Sequence, residues 1–188
     1  MPPVSADNPY YFITSVTHKR LPVFRQRALQ GVLASSFDEA RKSGKFSIFS
    51  YVIMPEHYHI VTDSSQKPSV VVRYLNGISA RRVINYLKEN NFDTSLEKLR
   101  KQEVGKKDYR YSLWEHHSNT FLITTESMML KKVNYIHRNP VEEGLVGSED
   151  EYAFSSARFW NRAALLDNEP LYPDLKQLTW KNGGRASF

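Results

Sequence analysis

The segment Tyr51-Val52-Ile53-Met54-Pro55-Glu56-His57-Tyr58-His59-Ile60-Val61-Thr62-Asp63 decides the fold around it. Apolar, aromatic and β-branched residues dominate both halves, and Pro55-Glu56 separates them, so two strands meet at a tight break. So short a break implies antiparallel pairing. In the second strand, His57 to Asp63, side chains alternate faces with period two. His57 and His59 therefore share one face and Tyr58 takes the other. Two imidazoles on one stiff strand form half of a divalent-metal site, or else a pair of histidines on a half-exposed sheet. His-x-His alone does not separate the two readings.

Upstream, Tyr10 to Thr17 is aromatic and β-branched and predicts a first strand. From about Arg25 to Ser43, Ala28, Leu29, Val32, Leu33, Phe37 and Ala40 recur at helical spacing, and Gly44 supplies a stop. Phe46 to Met54 is the second strand. Downstream, Pro68 opens a helix to about Glu89 with Val71, Val72, Leu75, Ile78, Val83 and Leu87 on its apolar side. Asn90 to Lys107 reads as a polar, mobile loop in which Leu96 and Leu99 could form a helical turn. Tyr109 to Trp114 and Asn119 to Ile123 predict one or two further strands. Thr124 or Thr125 then caps a third helix that Pro140 ends. This order predicts an α+β fold: an antiparallel sheet with a ferredoxin-like, RRM-like βαββαβ core, helices on one face and a C-terminal helix bearing Tyr135. The expected division is one domain over residues 1–160 and a tail over 161–188 that packs on it or extends from it.

The 188 residues suit one domain with a real core, and 40% hydrophobic content agrees. Lys and Arg outnumber Asp and Glu by 26 to 20, for a net charge of +6 and a pI near 9.4, a balance that favours polyanionic partners. Eleven Tyr and ten Phe suit base stacking and core packing equally. The absence of cysteine rules out disulfides and thiolate metal sites and points to a reducing cytoplasm. Neither a secretory leader nor a membrane-length apolar run is visible, so a soluble, non-exported protein with no membrane partner is expected.

In the third helix, at about 100° per residue, Met129, Leu130, Val133 and Ile136 gather on one side, and Tyr135 falls about 200° from Val133. Asn139 and Lys131 lie one turn to either side of Tyr135 on its own face. Such a phenol is either an exposed surface tyrosine or a nucleophile. In the second case Asn139 supplies an oxygen ligand, Lys131 a positive charge, and magnesium or manganese suits the mixed nitrogen and oxygen shell. His137 lies nearer the apolar side, where a buried, hydrogen-bonded role is expected.

Together these pieces resemble the single-tyrosine HUH transposases of small insertion sequences, and most closely their REP-associated tyrosine transposase branch. The resemblance rests on Val52-Ile53-Met54-Pro55-Glu56-His57-Tyr58-His59, on Tyr135-Ile136-His137-Arg138-Asn139-Pro140-Val141-Glu142-Glu143-Gly144-Leu145-Val146 and on Tyr152-Ala153-Phe154-Ser155-Ser156-Ala157, in matching order between about Tyr10 and Trp160. It implies that His57, His59 and Asn139 hold a divalent metal, Mg2+ or Mn2+, and that Tyr135 attacks single-stranded DNA beside a hairpin to form a 5′-phosphotyrosine. No nucleotide cofactor is implied, and relatives act either as monomers or as homodimers with shared sites. Tyr58, aromatic but hydroxylated, is read as packing, and His116-His117 receives no family role.

Lys19, Arg20, Arg73, Arg81, Arg82 and Lys88 are candidates for phosphate contacts, with Lys131 a further basic group beside the tyrosine; singly, each is equally an ordinary solvated residue. Two rival functions remain open: a non-catalytic single-stranded nucleic-acid-binding module, which needs no Tyr135 opposite the apolar stripe, and an HUH replication initiator or relaxase, which often carries larger or additional domains.

Overall fold

The computed structural model describes residues 9–101 and 110–175. Its elements are β1 (Tyr10–Val16), α1 (Arg27–Gly44), β2 (Ile48–Ile53), β3 (His57–Asp63), α2 (Pro68–Glu89), α3 (Asp93–Lys98), β4 (Asn119–Ile123), α4 (Glu126–Glu142) and α5 (Ala157–Trp160). The strands form one antiparallel sheet in the order β2-β3-β1-β4, the arrangement of a ferredoxin-like βαββαβ core. The α+β expectation therefore holds. None of the helices among the described residues is long and apolar enough to cross a membrane.

Local chemistry explains the boundaries. Pro68 occupies the first turn of α2, where its missing N–H costs nothing. Thr125 caps α4 by accepting a hydrogen bond from the Met128 amide at 3.2 Å. Gly44 closes α1 because a Cβ there would lie 2.6 Å from the Phe46 ring, and Lys45 carries the left-handed turn that follows.

The sheet divides the interior in two. On one side Ile13, Tyr58 and Ile60 pack with Leu33 and Phe37 of α1 and Leu75 and Val83 of α2. Full burial of each large apolar side chain contributes roughly 1.5–3 kcal/mol. On the other side Phe12, Phe49, Val52 and Val61 meet Met129, Val133 and Ile136 of α4. Helices thus cover both faces, with the Tyr135-bearing α4 on the side opposite α1 and α2. The chain itself seals the β2 edge: Val52 bridges Ser155, the Ile53 amide donates to Phe154, and the Asp174 amide donates to the Ile48 carbonyl at 2.7 Å. The far edge, β4, is solvent-exposed over most of its length.

Four sequence expectations need correction. Pro140 does not end α4, which continues to Glu142; the stop is a Schellman turn in which Leu145 donates to Pro140 O and Gly144, at φ +68°, donates to Val141 O. Leu130 is 40% exposed and outside the stripe formed by Met129, Val133 and Ile136. Tyr109 lies outside the described residues, and the rest of its segment makes only isolated bridges, Tyr111 to Arg100 and Trp114 to Thr17. Pairing along β1 from Tyr10 to Thr14 is already taken by β4, so Trp114 packs instead, stacking on Phe24 and donating from Nε1 to Ser79. Within the expected loop, Asp93–Lys98 is a helix that buries Leu96, with Leu99 buried just beyond it; residues 102–107 lie outside the described residues.

Candidate functional site

Strand alternation sends His57 and His59 to the α4 face, where their rings lie 4.7 Å apart and both side chains are buried. Glu56 Oε1 sits 3.1 Å from His57 Nδ1 and accepts a hydrogen bond from it. The tautomer this favours turns a lone pair on His57 Nε2 toward Asn139 Oδ1, at 3.2 Å, across 82 positions of sequence. In that tautomer both atoms are free to donate a lone pair to a cation. His59 Nδ1 is hydrogen-bonded to Thr14 Oγ1 at 2.7 Å, through a partner that β1–β3 register places opposite it.

The other nitrogen of His59, Nε2, is buried and has no hydrogen-bond partner among the described residues. Such an atom costs on the order of 1–3 kcal/mol unless something binds it. Burial, reinforced by His57 and Lys132, pushes the His59 pKa down to about 3, so the ring is neutral at physiological pH. Two histidine nitrogens and the Asn139 carboxamide oxygen are the donors that could hold a divalent metal. Among the described residues no group of three His, Cys, Asp or Glu could do so.

Tyr135 stands beside these donors. Its ring meets His59 edge-on at 5.2 Å and Phe12 at 6.0 Å, and the residue is 44% exposed, accessible to a large substrate. Lys131 is exposed, and the ammonium that reaches the Tyr135 ring is that of Lys132, 5.9 Å from its centroid. Sequence reasoning missed Lys132, Glu56 and Thr14. Lys132 is signalled only by its i, i+3 spacing from Tyr135, Glu56 by adjacency to His57, and Thr14 by nothing short of the strand register. His137 is buried as expected, bonded to Ser50 and Ser156.

The basic candidates scatter. Lys19 and Arg73 line one cleft of about 700 Å³ with His18, Lys101, Trp114 and His116. The cleft lies on the α2 side of the sheet, against Asn76, which accepts a hydrogen bond from the Tyr58 hydroxyl at 2.7 Å. Tyr58 is thus packing with an anchor. Arg20 approaches Glu56 at 3.7 Å. Arg81 and Arg82 both pair with Glu39 of α1, and Lys88 lies over the Tyr111 ring, so these three brace α2 rather than line the cleft. His116 and His117 stack on each other at 4.8 Å.

Known proteins share this fold. A REP-associated tyrosine transposase solved bound to a REP hairpin superposes with a TM-score of 0.55 at 16% identity, covering 93% of this chain and 90% of that one. A candidate transposase from Deinococcus radiodurans R1 matches at a TM-score of 0.47 and 17% identity, over 70% of this chain and 91% of its own. A search of curated proteins finds no match. The family model described as "Transposase IS200 like" matches residues 5–139, from ahead of β1 to Asn139 itself, and the chain belongs to that family.

Proposed function

We propose that the chain is a metal-dependent single-stranded DNA endonuclease and strand transferase that acts beside hairpins, in transposition or in processing of dispersed palindromic repeats. The observation that carries this reading is the meeting of His57, His59 and Asn139 with Tyr135, the histidine pair keeping a buried, unsatisfied nitrogen next to the phenol ring. His57, His59 and Asn139 would hold Mg2+ or Mn2+, which would supply Lewis-acid polarisation of the scissile phosphate. Glu56 and Thr14 orient the two imidazoles. The Tyr135 oxygen attacks phosphorus and gives up its proton to solvent. A Tyr–O–P bond forms, the P–O3′ bond breaks, and the departing 3′ oxygen takes a proton to become a hydroxyl. The 5′-phosphotyrosine conserves the phosphodiester energy, so a later 3′-hydroxyl can reverse the step without a nucleotide cofactor.

The hairpin preference draws on the REP-hairpin-bound relative, which shares the fold. Lys19 and Arg73, in the cleft on the α2 side, are the phosphate contacts this reading favours. All four site residues belong to one chain and the β2 edge is covered by the chain's own segments, which supports a monomer that cuts in cis over a homodimer with shared sites. A reducing, nucleoid-associated cytoplasmic setting fits a cysteine-free DNA enzyme.

The test incubates labelled single strands from repeats flanking the protein's own gene with protein and Mg2+ or Mn2+, followed by denaturing electrophoresis. Wild type forms a conjugate that maps to Tyr135, and Tyr135→Phe lowers it at least about a thousandfold. Undiminished cleavage by Tyr135→Phe, or no conjugate from wild type on any strand, overturns the reading.

A further inference from the structure

Lys132 lies in a cage of rings: its Nζ is 4.5 Å from the Phe12 centroid, 4.9 Å from Phe121 and 5.9 Å from Tyr135. Among the described residues no carboxylate pairs with it. A ring face attracts a cation through its quadrupole but carries no net charge, so the cage holds the ammonium without neutralising it. Phe12, the nearest ring, also stacks on His59 at 5.2 Å, which places the charge within the same cluster as the histidine pair and the phenol. Phe121 is itself exposed on the open β4 edge, leaving that side of the cage accessible. A lysine that merely covered apolar surface would extend its head into water; this one is half-buried among three rings beside the nucleophile.

We propose that Lys132 contacts a non-bridging oxygen of the phosphodiester that Tyr135 attacks, with Phe12, Phe121 and Tyr135 setting its position. The proposal rests on the reading of Tyr135 as nucleophile. It assigns to Lys132 the stabilisation of charge that builds on the phosphoryl oxygens, whereas the helical wheel offers Lys131 as the positive charge beside Tyr135.

The experiment measures single-turnover conjugate formation by wild type, Lys132→Gln and Lys132→Arg on two hairpin substrates, one natural and one with a methylphosphonate at the scissile position. On the natural strand Lys132→Gln slows the reaction about a hundredfold and Lys132→Arg restores most of it. On at least one methylphosphonate diastereomer, which lacks the contacted oxygen, the wild-type to Lys132→Gln ratio collapses to within about threefold. An equal ratio on both substrates overturns the proposal, as does a Lys132→Gln rate equal to wild type. A general loss of structure lowers both substrates' rates together and counts with the first of these. Wild-type speed in Lys132→Gln leaves the Tyr135 reading standing; a wild type that forms no conjugate removes both.

Discussion

Two regions lie under α4, and two histidines mark them. Over β2, His137 Nε2 meets Ser156 Oγ at 2.9 Å and Ser50 Oγ at 3.2 Å, and the two serines lie 3.1 Å from each other, a closed polar triangle. Over β1 and β3, His59 Nε2 has no hydrogen-bond partner among the described residues. The residues are 2% and 5% exposed, and burial drives both pKa values down to about 3. Burial and protonation state therefore do not separate the two histidines; their hydrogen bonding does, and the proposed function gives His59 the metal-binding role and His137 a structural one. The largest effect that tests this contrast comes from removing each ring in turn. His59→Ala lowers conjugate formation at least about a hundredfold while changing the stability of the metal-free protein by no more than about 1 kcal/mol, since the lost packing is offset by relief of the orphaned nitrogen. His137→Ala costs about 2–3 kcal/mol by denaturant unfolding and leaves the activity of the folded fraction within a few-fold. Mn2+ at a hundred times its Kd adds about 2.7 kcal/mol of stability to wild type and His137→Ala but none to His59→Ala. The opposite pattern would assign the structural role to His59.

A smaller, shared effect follows from protonation. Both imidazoles titrate near 3 when folded and near 6.5 when unfolded, so between those values the unfolded chain binds more protons and stability rises with pH. Acidification from pH 7 to 5.5 then removes on the order of 1 kcal/mol per histidine, about 2–3 kcal/mol in all. His137→Ala loses only about half of that over the same interval. Urea titrations at the two pH values measure it, and an identical pH slope in the variant would show that His137 is not held neutral.

What the sequence disclosed depended on how local the cause was. Period-two alternation placed His57 and His59 on one face, and a helical wheel brought Tyr135 and Asn139 together, because both patterns are written within one element. Lys131 and Lys132 lie about 40° and 60° from Tyr135 on that wheel, too close to separate by phase; Phe12 and Phe121 decide between them, and those rings reach the site only through the β1–β4 register. Thr14 reaches His59 through β1–β3 pairing in the same way. The Pro140 rule failed because Gly144 offered a better stop two residues beyond α4.

Arginine placement is the smallest effect, and it sharpens a second contrast, between the cleft side of α2 and its braced side. By sequence Arg73, Arg81 and Arg82 were equivalent cations on one helix. In the fold Arg73 lines the cleft with Lys19, whereas Arg81 and Arg82 share the single carboxylate of Glu39 at 3.1 and 2.7 Å. These guanidinium groups are more than half exposed, so each pair stabilises the fold by no more than about 1 kcal/mol. Their charge is nonetheless partly answered, and a phosphate would have to compete with Glu39 for it. A residue that contacts a phosphate adds about one unit to the slope of log K against log salt. Arg73→Ala is therefore expected to flatten that slope by about one unit and to weaken hairpin binding a few-fold at physiological salt, with Arg81→Ala and Arg82→Ala leaving the slope unchanged. Fluorescence anisotropy of a labelled hairpin from 50 to 300 mM salt, roughly the range over which phosphate contacts dominate, reads all three. Equal flattening in all three variants would mean that DNA runs along the outer face of α2 and displaces Glu39, instead of entering the cleft beside Lys19.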